Sequence, residues 1–171
     1  LLYQPIVSLR GGTDEIYQVL LRLLDEEGNE MQPDQFMPGA EQVGLMGAID
    51  RWVIERAAKL LAARRPTGHK TSFFIKLFVD TMTDKTLLPW ITETLKSVRL
   101  AGDGLIFEVR EASAASNLRE AKEFVSGLKQ LRCRFALNHA PSGSGASNFG
   151  YLKHLAIDYL KVNGALMSGL V

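Results

Sequence analysis

Tyr17-Gln18-Val19-Leu20-Leu21-Arg22-Leu23 is an apolar run carrying one amide and one guanidinium. Read as a strand, whose side chains alternate between two faces, it sends Tyr17, Val19, Leu21 and Leu23 one way and Gln18, Leu20 and Arg22 the other. A sheet covered on both sides makes both faces apolar, so a face of Gln, Leu and Arg needs partners for its polar groups. On this strand alone, an edge with one wet face is the simpler reading. The neighbouring segments favour a different one.

Towards the N-terminus, Tyr3 to Leu9 reads as a strand, and Gly11-Gly12 as the turn that joins it to the Gln18 strand. Towards the C-terminus come an acidic loop, Asp25-Glu26-Glu27-Gly28, and a short helix from Asp34 to Val43 ended by Gly44. From Ile49 the residues Trp52, Val53, Ala57, Leu60 and Leu61 recur at helical spacing until Arg64-Arg65-Pro66-Thr67-Gly68 stops them. Ser72 to Val79 is the clearest buried strand. Thr86 then caps a helix with Pro89 in its first turn, burying Leu87, Leu88, Ile91, Leu95 and Val98. Gly104 to Val109 is a strand, Leu118 to Leu131 a helix, and Cys133 to Asn138 a strand. The loop Pro141-Ser142-Gly143-Ser144-Gly145 opens a short helix through Lys153, and Ile157 to Val162 is the last strand. Strands alternating with helices mean a parallel α/β sheet.

Composition restricts the function classes. The chain has 171 residues, 46% hydrophobic and 23% charged, with 20 Lys and Arg against 19 Asp and Glu. That is material for one globular domain, and its charge gives no hint of nucleic-acid or membrane binding. No apolar run approaches the ~20 residues of a membrane span. The single cysteine, Cys133, excludes an internal disulfide and fits a reducing compartment. The first and last residues, on a strand and on Gly169-Leu170-Val171, read as cut from a longer protein.

The alternation rule, applied to every strand, gathers a set of polar residues. Phe73, Ile75, Leu77 and Val79 oppose Phe74, Lys76 and Phe78; Leu105, Phe107 and Val109 oppose Ile106, Glu108 and Arg110; Cys133, Phe135 and Leu137 oppose Arg134, Ala136 and Asn138; Lys161 shares a face with Tyr159 and Ile157. The apolar faces should meet helices. The mixed faces should then converge inside a barrel, with Gln18, Arg22, Lys76, Glu108, Arg110, Asn138 and Lys161 near the C-terminal strand ends, where parallel folds place ligands. Four cations against one carboxylate leave a surplus of three positive charges. Such a set suits an anionic ligand better than a divalent metal, which needs more negative oxygen. The alternative is that Arg110 and Lys76 pair with Glu108 and Glu111 while Arg22 faces water.

These residues resemble the EAL domain family, the cyclic-di-GMP phosphodiesterases and their degenerate relatives. Tyr3-Gln4-Pro5-Ile6-Val7 resembles the family's opening strand, and Gln18-Val19-Leu20-Leu21-Arg22 occupies the signature E-A/V-L-x-R. Phe36-Met37-Pro38 with Ala40-Glu41-Gln42-Val43-Gly44-Leu45 resembles F-I-P-x-A-E-x-x-G-L, and Ile49 to Val53 the following D-x-W-V helix. Asp158-Tyr159-Leu160-Lys161-Val162-Asn163 resembles the D-x-L-K-I-D strand. The resemblance spans the whole chain and implies a TIM-like (β/α)8 barrel with an antiparallel first strand. It makes residues 1–171 a single EAL-like domain lacking the closing C-terminal strands, with six strands where a closed barrel has eight.

The departures carry the functional expectation. Gln18 stands where the family has its signature glutamate, Lys76 replaces the asparagine of N-L-S, and Glu108-Val109-Arg110-Glu111 stands for E-I-T-E. The paired aspartates are Asn138-His139, while Lys161 keeps the catalytic lysine's position. A lone histidine such as His139 is more often a hydrogen-bonding residue than a metal ligand. Active members use two metals, so the resemblance implies no phosphodiesterase activity and no divalent metal here. It implies a cyclic-di-GMP site made by Gln4, Gln18, Leu20, Arg22, Asp50, Lys76, Glu108 and Arg110, with no catalytic residue. Arg22 supplies a phosphate fork, Leu20 a purine contact, Gln4 amide contacts and Asp50 an acceptor for a guanine edge, while Lys76 and Arg110 replace the metals' charge. The closer likeness is to FimX-type regulators of type IV pilus and twitching motility, which implies a bacterial cytoplasmic receptor pairing with a PilZ-type protein, dimerisation being left open. The rivals are a scaffold that has lost the nucleotide as well, and an active enzyme.

Overall fold

The computed structural model describes residues 1–139 and 153–162. Leu2–Ile6 (β1) runs antiparallel to Glu15–Leu20 (β2), with Gln4 opposite Gln18. Between them Gly11 and Gly12 adopt φ of 77° and 147°, backbone that side chains with a Cβ rarely reach. Leu23–Leu24 (β3) and Glu30–Met31 (β4) form a separate small hairpin. The acidic loop closes it because Asp25 accepts from the backbone and side-chain amides of Asn29 at 2.7 and 3.0 Å.

Pro33–Gln42 (α1) begins at Gln32, whose N–H is held by Gln35 Oε1 at 2.6 Å, and is followed by Gly44 at φ 70°. Met46–Arg64 (α2) starts a few residues before the expected position and buries Val53, Ile54, Ala57, Ala58 and Leu61. Trp52, expected in that core, is instead exposed. Then follow Thr71–Lys76 (β5), Val79–Thr83 (α3), Leu87–Ser97 (α4), Leu105–Arg110 (β6), Glu111–Ser116 (α5), Leu118–Gln130 (α6), Arg134–His139 (β7) and Tyr159–Val162 (β8). Thr86 does precede α4, but its hydroxyl donates to Asp84 Oδ1 and does not accept from the helix; Asp84 accepts the Thr86 and Leu87 amides. The Pro141–Gly145 loop and the helix expected after it lie outside the described residues.

The main sheet has the order β1-β2-β5-β6-β7-β8, parallel throughout except for β1. This is the curled α/β sheet of a TIM-like barrel with an antiparallel first strand, six strands of it among the described residues. Its outer face packs Phe73, Ile75, Phe107, Phe135 and Leu137 against α2, α4 and α6. Its inner face curls onto itself through Phe74, Ile106 and Ala136, with Ile16 and Tyr159 alongside. The alternation rule therefore assigns the two faces correctly from β2 to β7, but Ile157, expected on the inner face with Tyr159 and Lys161, precedes β8 and packs against the outer core instead. At the N-terminal strand ends Arg134 fills the interior, donating to Tyr159 Oη, Ser72 Oγ and the Asp103 carbonyl, each at 2.7 Å.

Candidate functional site

Above Phe74 the inner face turns polar, and four strands bring one side chain each to a common point. Lys161 Nζ donates to Gln18 Oε1 at 2.6 Å and to Glu108 Oε2 at 2.7 Å. Asn138 Nδ2 donates to Glu108 Oε1 at 2.6 Å, and Gln18 Nε2 to the Phe74 carbonyl at 3.2 Å. The ammonium lies 5.6 Å from the Phe74 ring centre. Glu108 is 1% exposed, and each of its oxygens accepts a hydrogen bond, one from the Lys161 ammonium and one from the Asn138 amide.

A cavity of about 710 Å³ opens over this cluster at the C-terminal strand ends, walled on the other side by α1 and the start of α2. Of the residues expected to contact the nucleotide, Gln4, Gln18, Leu20, Arg22, Asp50, Lys76 and Glu108 line it. Arg110 does not. It shares Glu108's strand face, but at the end of β6 it is exposed and stands outside the lining. Alternation fixes the side a residue points to, not its depth along the strand.

The expected charge surplus also needs correction. The lining carries three cations, Arg22, Lys76 and Lys161, and four carboxylates, Asp34, Glu41, Asp50 and Glu108. Lys161 is spent on Glu108, and Glu111 pairs with His139, so the alternative pairing through Arg110 and Lys76 is not formed either. Lys76 is exposed and makes no hydrogen bond or ion pair among the described residues. Arg22 donates from Nη1 to the Leu21 carbonyl at 2.7 Å and keeps Nε 4.0 Å from Glu30, buried and without a hydrogen bond among the described residues. Asp50 is 2% exposed and accepts the Phe78 amide at 3.0 Å. Burial pushes its carboxyl up to about 6, against the opposing pull of that amide.

The alternation rule also misses a wall. Asp34, Met37, Pro38 and Glu41 line the cavity from α1, and their spacing is that of one helix face. That spacing is visible in the sequence, but it reveals a helix and not the direction in which the face points. A second, apolar groove of about 870 Å³ lies behind Arg22, between β3–β4, α1 and α2, and accounts for the exposure of Trp52.

The central donor set does not fit a divalent ion as it stands. Gln18 and Asn138 offer neutral oxygens, and the charge of Glu108, the one carboxylate in contact with them, is already met by an ammonium. Among the described residues no three His, Cys, Asp or Glu side chains gather as metal ligands would.

Known proteins share this fold. The FimX EAL domain from Pseudomonas aeruginosa, solved bound to c-di-GMP, superposes with a TM-score of 0.88 at 39% identity, over 98% of this chain and 66% of that one. The Xanthomonas citri FimX EAL domain, in complex with c-diGMP, gives 0.85 at 31% identity over 97% and 64%. The cyclic di-GMP phosphodiesterase PdeF of Escherichia coli is 30% identical over 171 residues, all of this chain and 22% of that protein. The chain spans 20–22% of the length of the first such curated relatives. The family model described as EAL domain matches residues 1–171, and the antiparallel first strand, the curled sheet and the cavity over its C-terminal ends agree with it: this chain belongs to the EAL domain family.

Proposed function

We propose that this domain is a metal-independent cyclic-di-GMP receptor and not a phosphodiesterase. One observation carries the reading: the Lys161 ammonium sits between Gln18 Oε1 and Glu108 Oε2, at 2.6 and 2.7 Å, so the oxygens that would hold a metal are already serving a cation. Hydrolysis of a phosphodiester without metal would leave attacking water unactivated and the developing charge unmet. Binding needs neither. Arg22 and Lys76 offer cationic donors to the two phosphates, Leu20 an apolar wall for a purine, Asp50 an acceptor, and Gln4 an amide at the β1 edge. The two FimX domains with c-di-GMP bound support the ligand. A role in type IV pilus signalling through a PilZ-type partner, implied by the resemblance to FimX-type regulators, is part of the same proposal.

Calorimetry with cyclic-di-GMP in EDTA tests the reading. We expect micromolar or tighter binding that weakens at least tenfold in Arg22→Ala. Absence of binding at millimolar ligand means a protein-interaction scaffold instead. The name of PdeF favours hydrolysis as the second reading. Linear product formed clearly above background with Mg2+ or Mn2+ would establish it.

A further inference from the structure

Two side-chain oxygens, one on β2 and one on β6, form a small cage at the Lys161 ammonium. Gln18 Oε1 and Glu108 Oε2 both accept from Nζ, and Asn138 steadies the second Glu108 oxygen from the neighbouring strand. Oxygen atoms from different strands converging on one point resemble the surroundings of a hard cation. Here that cation is tethered, and the sum of Glu108 and Lys161 is zero. Lys76 projects from the adjacent strand but is exposed, where solvent screens it.

We propose that Lys161 is a resident cation whose balance with Glu108 alone keeps divalent metal out of the cage. The inference deepens the receptor reading and rests on its metal-free site. The lysine itself belongs to the family pattern; what differs is that one carboxylate serves one ammonium, leaving no negative charge for an ion. Adding one negative unit should admit a metal, whichever residue supplies it. Lys161→Met does so by removing the ammonium, and Gln18→Glu by adding a carboxylate. Lys161→Met/Glu108→Gln returns the cage to neutrality.

The probe is Mn2+, followed by electron paramagnetic resonance and calorimetry without nucleotide, so that failure of cyclic-di-GMP binding cannot be mistaken for failure here. We expect no cage-bound Mn2+ in the wild type and at least tenfold tighter Mn2+ binding in both Lys161→Met and Gln18→Glu. The Lys161→Met/Glu108→Gln protein should lose it again. Gain in neither single variant, or in only one, overturns the charge-balance account. So does wild-type Mn2+ binding that disappears in Glu108→Gln. Should a variant unfold, the wild-type protein labelled with 15N-lysine decides. Lys161 ammonium signals unbroadened by millimolar Mn2+ support the proposal, and paramagnetic broadening overturns it.

Discussion

Lys161 on β8 and Gln18 on β2 are separated by three intervening strands, yet the ammonium donates to the amide oxygen at 2.6 Å. The contact crosses the interior of the curled sheet and joins residues 143 positions apart. It ties one side of the half-barrel to the other while Glu108, two strands from either end of the tie, supplies the counter-charge. All three side chains of this tie also line the cavity proposed to take the ligand.

Lys161→Ala should destabilise the domain by about 2–3 kcal/mol, because it strands a buried carboxylate. The figure sits at the low end for such pairs since the lysine side chain is 33% exposed. Glu108→Gln keeps the Asn138 hydrogen bond in one amide orientation and should cost less. Urea unfolding of both single variants and the double gives the coupling, expected at about 1–2 kcal/mol. A double variant that loses the full sum would mean that the two side chains act independently.

Lys76→Gln should weaken cyclic-di-GMP binding about tenfold while leaving unfolding within ~0.5 kcal/mol of wild type. The lysine is exposed, has no protein partner among the described residues, and faces the cavity from the strand between Gln18 and Glu108. The wild-type affinity should also fall with salt more steeply than that of the variant. Parallel salt dependences would show that the ammonium does not face the ligand's charge. Arg110→Gln serves as the contrast: lying outside the lining, it should change affinity less than about twofold.

Asp50 gives the fold a pH dependence of definite sign. Its carboxyl titrates near 6 in the folded chain against an ordinary 3.8, so between these values the folded state holds more protons than the unfolded one. Stability is therefore lost as pH rises from about 4 to about 6, and the cost is fully present above that. Asp50→Asn keeps an acceptor for the Phe78 amide and removes the titration. We expect it to be about 1–2 kcal/mol more stable than wild type at pH 7, the difference vanishing below about pH 4. The comparison must be the difference between the two proteins, because Glu15 and Asp84, both lowered to about 2 by their hydrogen bonds, push the other way in acid.

The strands and their faces were legible in the sequence because a two-residue period is a local property, and β5, β6 and β7 each show it without interruption. The short helices α3 and α5 were not, since Val79–Thr83 and Glu111–Ser116 are too brief to establish a period. At the site, alternation found Gln18, Lys76, Glu108, Asn138 and Lys161 but could not say who pairs with whom. Lys161 reaches Glu108 rather than Lys76 or Arg110 doing so, because the strand curl, absent from any one-dimensional pattern, brings β8 over β6. The same curl is why charges summed as one buried cluster are in fact spread between a neutral pair, a rim and the outside.

Among the described glycines, Gly102 is where the packing leaves least room. A Cβ there would lie 2.5 Å from the Leu131 carbonyl and closer still to Cys133 Sγ, and the carbonyl cannot swing aside as a side-chain tip can. Gly102→Ala should therefore cost about 2–3 kcal/mol by forcing the turn before β6 away from the start of β7. Gly127→Ala, which meets the movable methyls of Leu88, should cost about 1 kcal/mol. Cys133 reports which happens. Burial, with Asp103 nearby, pushes its thiol up to about 12, so the native protein should resist a thiol reagent at pH 8 and react fully in urea. If the turn is displaced, Gly102→Ala makes Cys133 reactive under native conditions and Gly127→Ala does not. A Gly102→Ala protein as stable and as unreactive as wild type would mean that this turn is looser than its contacts indicate.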